Sequence, residues 1–237
     1  IGATGSLNGE KVHEFVLIGS FGPVYNIVDT RELIDDGYLT DINIDCITLN
    51  YPDEIKKAFW KLMRSVGNSK KKYQKEIEFI TQNTQRNKHL RNLAKSRKGN
   101  TLMLFNRVKK HSKPFYEKLK AQCPDHEVLF IDGTCKPEEK QLIKEITEKQ
   151  DNVIIIASYQ IFSTGVNIKN LHNIIFAAPM KGKIKIIQSI GRLLRKHESK
   201  VIATVYDVVD DLRWGKSYRN YGILHFFKRV EIYSNEK

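Results

Sequence analysis

The sequence predicts an α/β fold built on a parallel sheet flanked by helices. Three observations carry this. Residues 153–157 (VIIIA) form a short β-branched run that reads as a strand buried on both faces, and segments at helical spacing alternate with such runs along the chain. The composition is that of a globular protein: of 237 residues, 41% are hydrophobic and 28% charged, enough apolar content for a sizeable core. No apolar run is long enough to span a membrane, and the first residues lack the basic start and apolar centre of a signal peptide, so a cytoplasmic location is expected.

In chain order, residues 2–7 are a small-residue turn leading into an amphipathic segment at 9–16. Residues 17–39 read as a helix end, an extended piece and a short helix stopped by Gly37. Cys46-Ile47-Thr48-Leu49 reads as an edge strand ended by Tyr51-Pro52. From Asp53 to about Lys98 the pattern is helical, lysine-rich at Lys56-Lys57 and Lys70-Lys71-Lys72, with a break at Gly67-Asn68-Ser69. Residues 101–107 are a strand running into a polar turn. A helix at 114–122, a strand at 127–131, the turn Asp132-Gly133-Thr134 and a helix at 137–149 follow.

The strand at 153–157 ends at Ser158. A polar loop through Gly165, where glycine permits close backbone approach or positive φ, leads to a second apolar strand at 173–178. Pro179 and Gly182 punctuate the chain before a helix over 183–195, and a last strand covers 201–209. Strands alternating with helices imply right-handed βαβ units and hence a parallel sheet. The tail is aromatic and basic, with Trp214, Tyr218 and Tyr221 among Arg213, Arg219 and Arg229. Such rings either stack bases or pack on the domain, and packing is expected.

Charge supplies the partner class. Forty Lys and Arg against 27 Asp and Glu give a net charge of +13, which suits a polyanion, with nucleic acid first. The three cysteines, Cys46, Cys123 and Cys135, form no C-x-x-C pair, and the histidines show no ligand spacing, so no metal site is expected in this chain. On the helix over 183–195, Gln188, Arg192 and Arg195 stand at i, i+4 and i+7 and share one face, with Ile186, Ile187, Ile190, Leu193 and Leu194 left to pack the other. Two planar guanidiniums and an amide on one face match the geometry of phosphate oxygens.

Residues 188–195 (QSIGRLLR) resemble the QxxGRxxR signature, motif VI, of the second RecA-like lobe of superfamily 2 helicases. Residues 157–168 (ASYQIFSTGVNI) are similar to motif V of that superfamily, in the right order and at a suitable distance upstream. Residues 101–107 (TLMLFNR) resemble motif IV, and residues 2–7 the motif III that closes the first lobe. The match runs through most of the chain and is strongest to phage recombination helicases.

The resemblance implies a RecA-like second lobe at 44–212, an N-terminal remnant of the first lobe with the interlobe linker at 1–43, and a basic aromatic tail at 213–237. It implies that Arg195 acts as arginine finger on ATP, Arg192 as a second phosphate contact and Gln188 as the residue orienting nucleotide or water. Gly165, Asn167 and Gly5 would lie against the nucleotide. Asn167 replaces the aspartate that bonds the ribose in many relatives, which puts that contact in question. Ser158, Thr164, Phe105, Asn106 and Arg107 would contact DNA phosphates.

A phosphate-cradling G-x-x-x-x-G-K-[ST] loop and an acidic box for magnesium are not found. Gly215-Lys216-Ser217 has only the end of the first, and Asp53-Glu54 mimics the second behind Pro52. ATP and Mg2+ are therefore expected to be bound mainly by a first RecA-like lobe of the same polypeptide, and this chain alone is expected to be inactive. Two other readings share the same motifs. One is a non-catalytic nucleic-acid-binding or annealing module. The other is the lobe of a different superfamily 2 motor, such as a restriction translocase or an RNA helicase.

Overall fold

The computed structural model describes residues 11–25, 28–106, 111–160, 167–180, 182–215 and 218–235. Its centre is a six-stranded, all-parallel sheet in the order β1-β6-β5-β2-β4-β3. The strands are β1 (Asp41–Asn50), β2 (Thr101–Phe105), β3 (Val128–Ile131), β4 (Ile154–Ser158), β5 (Asn173–Phe176) and β6 (Ile202–Asp211). Position in the sheet follows composition: β2, β4 and β5 are apolar and buried throughout and lie inside, whereas β1 alternates between exposed and half-buried residues and forms an edge.

The helices are α1 (Lys11–Phe21), α2 (Thr30–Asp35), α3 (Asp53–Arg64), α4 (Ser69–Gln82), α5 (Thr84–Lys95), α6 (Lys113–Gln122), α7 (Pro137–Lys149), α8 (Lys183–Leu193) and α9 (Tyr221–Asn235). Local chemistry sets their starts. Asn68 and Asn83 accept the backbone N–H of Lys71 and Arg86 and so cap α4 and α5, and the Glu139 carboxylate accepts the N–H of Lys136 ahead of Pro137 in α7. The break expected at residues 67–69 separates α3 from α4, and Asn83 adds a second.

Alternation along the strands builds two cores. Leu102, Leu104, Ile155 and Ile174 point to one face, where Ile143 of α7, Ile186 and Ile190 of α8 and Ile232 of α9 cover them. Met103, Phe105, Ile154 and Ile156 point to the other, under Leu90 of α5 and Phe115 and Leu119 of α6. The basic tail thus packs through α9 onto the sheet. Among the described residues no helix is long and apolar enough to cross a membrane.

Candidate nucleotide and nucleic-acid interface

Because all strands are parallel, every loop after a strand lies at one edge of the sheet, and α8 carries the chain back to the other. At the carboxyl edge Ser158 is the last residue of β4, 8% exposed, and Asn106 follows β2 with its side chain exposed. At the amino edge α8 ends at Leu193, Asn167 precedes β5, and the Leu194 carbonyl accepts the backbone N–H of Thr40 at 2.8 Å, just before β1 begins.

Arg195 is at this amino edge but not on the helix. The helical face expected to hold Gln188, Arg192 and Arg195 is cut short: Leu194 caps α8, and Arg195 forms an antiparallel bridge with Leu39. The reason is pairing with a distant segment, since the strand-like backbone of Leu39 and Thr40 takes up the partners that another helical turn would have used. The Arg195 guanidinium donates to the amide oxygen of Asn167, bringing motifs V and VI together. That acceptor is neutral, so the arginine keeps its charge for an anion. Arg192 is half-buried, and burial and then the nearby Arg195 charge both push its guanidinium below the usual range. An arriving phosphate relieves that repulsion. Gln188 is exposed one turn earlier on α8.

A polar network fixes this end. The Asn100 side-chain amide donates to the carbonyls of Thr147, Gln150 and Asn170 at 2.8–2.9 Å, and its oxygen accepts the N–H of Val153. Lys200, 6% exposed, donates to Leu193 O at 2.7 Å and Lys169 O at 3.0 Å, tying the end of α8 to the chain leaving motif V. Burial, partly offset by Glu148, pushes its ammonium down to about 8.

The segment between β5 and α8 is gripped from four sides. Arg86 donates to Ala177 O at 3.0 Å, Tyr159 to Ala178 O at 3.0 Å, Asn106 to Pro179 O, and Arg229 to Met180 O at 2.8 Å. The two arginines are themselves fixed in buried ion pairs, Arg86 with Asp210 and Arg229 with Asp207, each at 2.7 Å. Motif reading did not assign roles to Lys200, Arg86, Arg229, Tyr159 or Asn100. The one signal in the chain is the set of carboxylates Asp207, Asp210 and Asp211 in a mostly apolar strand, since buried carboxylates require cationic partners.

One expected contact is corrected. Phe105 is fully buried against His111 and Phe115, with ring centroids 4.8 and 5.1 Å away, because it is the last residue of a strand covered on both faces; its side chain is core and is not available to a phosphate. Gly5, Arg107, Thr164 and Gly165 lie outside the described residues.

Residues 85–197 match the helicase conserved C-terminal domain, and the all-parallel sheet flanked by helices is the fold of that second RecA-like lobe of superfamily 2 helicases. Over its whole length the chain is 35% identical to the ATP-dependent DNA helicase uvsW of Enterobacteria phage T4 and spans 47% of that protein. The crystal structure of T4 UvsW matches it with a TM-score of 0.66 at 34% identity, over 84% of this chain and 40% of that one. The type ISP restriction-modification enzyme LlaBIII bound to DNA matches with a TM-score of 0.63 at 16% identity, over 93% of this chain and 16% of that one, a likeness of fold.

Proposed function

We propose that this chain works as the second lobe of an ATP-dependent DNA helicase that acts on branched DNA in recombination, repair and replication-fork processing, by unwinding, branch migration or annealing. One observation carries the reading: Arg195 is held between Leu39 and Asn167 at the amino edge, with Arg192 beside it and a neutral side-chain acceptor. A first RecA-like lobe of the same polypeptide is the partner that brings ATP to this edge. Arg195 then meets the developing charge on the γ-phosphate as arginine finger, Arg192 makes the second phosphate contact, and Gln188 orients nucleotide or water. A fixed guanidinium in that role contributes about a thousandfold or more in rate.

Gly165 and Gly5 line the nucleotide in this reading, and Asn167 serves it chiefly by orienting Arg195. At the carboxyl edge Ser158, Thr164, Asn106 and Arg107 hold the phosphates of one DNA strand without reading bases. Magnesium, when bound, neutralises phosphate charge. In this reading its ligands belong to the first lobe.

The test joins this chain to the ATP-binding lobe and measures hydrolysis with fork DNA. Arg195→Ala lowers DNA-stimulated turnover by about a thousandfold, roughly 4 kcal/mol, and leaves fork affinity within a factor of about two. Near-wild-type turnover in the variant removes Arg195 from the mechanism. Equal stimulation by RNA and by fork DNA removes the DNA assignment.

A further inference from the structure

The carboxyl edge carries a second basic surface beyond the motif loops. β1 and β6 end side by side, leading into α3 and into residues 212–215 and 218–221. Between these segments and α4 lies a cleft of about 220 Å³ lined by Trp60, Arg64, Lys72, Tyr218 and Arg219. Its floor is apolar, with Phe59 and Met63 buried. Its wall is aromatic: the Trp60 and Tyr218 rings are 4.9 Å apart, and the Trp60 indole N–H donates to Leu212 O at 2.7 Å, fixing the ring. The Arg64 guanidinium lies 5.7 Å over Tyr218 and the Lys57 ammonium 5.4 Å over Trp214. The one carboxylate at the cleft, Glu76, is buried and turned inward onto the N–H groups of Tyr221 and Gly222 and the Asn220 amide.

Packing explains Phe59 and Met63. It does not require a rim of Arg64, Lys72 and Arg219 around a part-exposed ring. A polyanion with flat apolar rings satisfies both halves of the cleft. The cleft has room for one ring and none for a base-paired helix. It also lies on the edge that holds Asn106 and Ser158: from β2 the sheet passes through β5 to β6, two strand spacings or roughly 10 Å.

We propose that this cleft binds single-stranded DNA, seating one base against the Trp60–Tyr218 wall with the flanking phosphates on Arg64, Lys72 and Arg219. The proposal deepens the DNA-helicase reading and rests on it. A strand leaving the motif loops runs along the sheet edge into the cleft, which gives the lobe a second hold on the strand.

The chain contains two tryptophans, Trp60 in the cleft and Trp214 beside it, so intrinsic fluorescence is a local probe. The chain is titrated with a fluorescein-labelled oligothymidine of 15 nucleotides for anisotropy and with the unlabelled oligonucleotide for tryptophan emission. The expected result is quenching that saturates with the anisotropy change, and an affinity loss of about tenfold in both Tyr218→Ala and Arg64→Ala, as for one stacked base. Circular dichroism of both variants matches the wild type. Anisotropy binding with silent tryptophans and wild-type affinity in both variants overturns the cleft while leaving the motif-loop contacts standing. Absence of any binding overturns the cleft and the DNA-contacting part of the proposed function together.

Discussion

Replacing Lys200 by Met tests how the amino edge holds its arginines. The ammonium is buried and bonds two carbonyls, Leu193 O at the end of α8 and Lys169 O beyond motif V. Burial, against a smaller opposing effect of Glu148, lowers it from the ordinary 10.5 to about 8. Between those values the unfolded chain binds a proton that the folded chain has released. Stability from this group therefore rises with pH from about 8 to 10.5 and is lost again as pH falls through 8. The gap corresponds to about 3.4 kcal/mol at 1.36 kcal/mol per tenfold, and screening by the water that reaches the ammonium reduces this to about 2 kcal/mol.

Urea unfolding of wild type and Lys200→Met at pH 7 and pH 10 reads it directly. At pH 7 the variant loses two hydrogen bonds but is relieved of a buried cation, so the two proteins differ little. At pH 10 the wild type is the more stable, and the difference between them has grown by about 2 kcal/mol. A difference that stays constant to within a few tenths of a kcal/mol over this range refutes the buried ammonium clamp.

Two further substitutions address the frame around the sites. Arg86→Met strands the Asp210 carboxylate, whose side chain has no exposed surface, and costs about 3–5 kcal/mol by urea unfolding; adding Asp210→Leu recovers more than half, since an apolar pair replaces the ion pair. Gly99→Ala places a Cβ 2.5 Å from His172 Cγ at a φ of +74°, so the melting temperature falls by an amount equivalent to at least about 2 kcal/mol, and an unchanged melting curve disproves the close approach.

Much of the fold was legible because burial writes itself into composition. The apolar runs at 101–105, 154–158 and 173–176 are strands covered on both faces, and the alternation of these with helical spacing left a parallel sheet as the consistent solution. The motif VI helix was legible to its last turn. Arg195 was misplaced by that turn because the residue that ends the helix, Leu39, lies far upstream, and pairing between distant segments leaves no periodic trace in either. Phe105 differs from its expectation for a related reason: a motif gives the order of residues, but helices on both faces of the sheet bury every side chain of β2, Phe105 included. The buried arginines were hidden altogether. Asp207 and Asp210 announce a need for cations, yet the chain has 40 Lys and Arg residues, and only the packing of α5 and α9 selects Arg86 and Arg229.

That selection bears on how the two edges communicate in a lobe with the proposed function. The four successive carbonyls from Ala177 to Met180 are held by side chains from α5, the start of motif V, the end of motif IV and α9. α8 begins three residues after that segment's last member and ends next to the bridge between Arg195 and Leu39. A helix of 11 residues is about 16 Å long and resists bending, so it transmits displacement from one end to the other. Asn106 is exposed and held by a bond to one carbonyl, whereas Arg86, Tyr159 and Arg229 are buried, so the motif IV contact is the one that a DNA phosphate can compete for. In the proposed function a phosphate that drew Asn106 away would release Pro179 alone, since Arg86 and Arg229 stay fixed by their buried ion pairs and Tyr159 by its bond to Ala178 O.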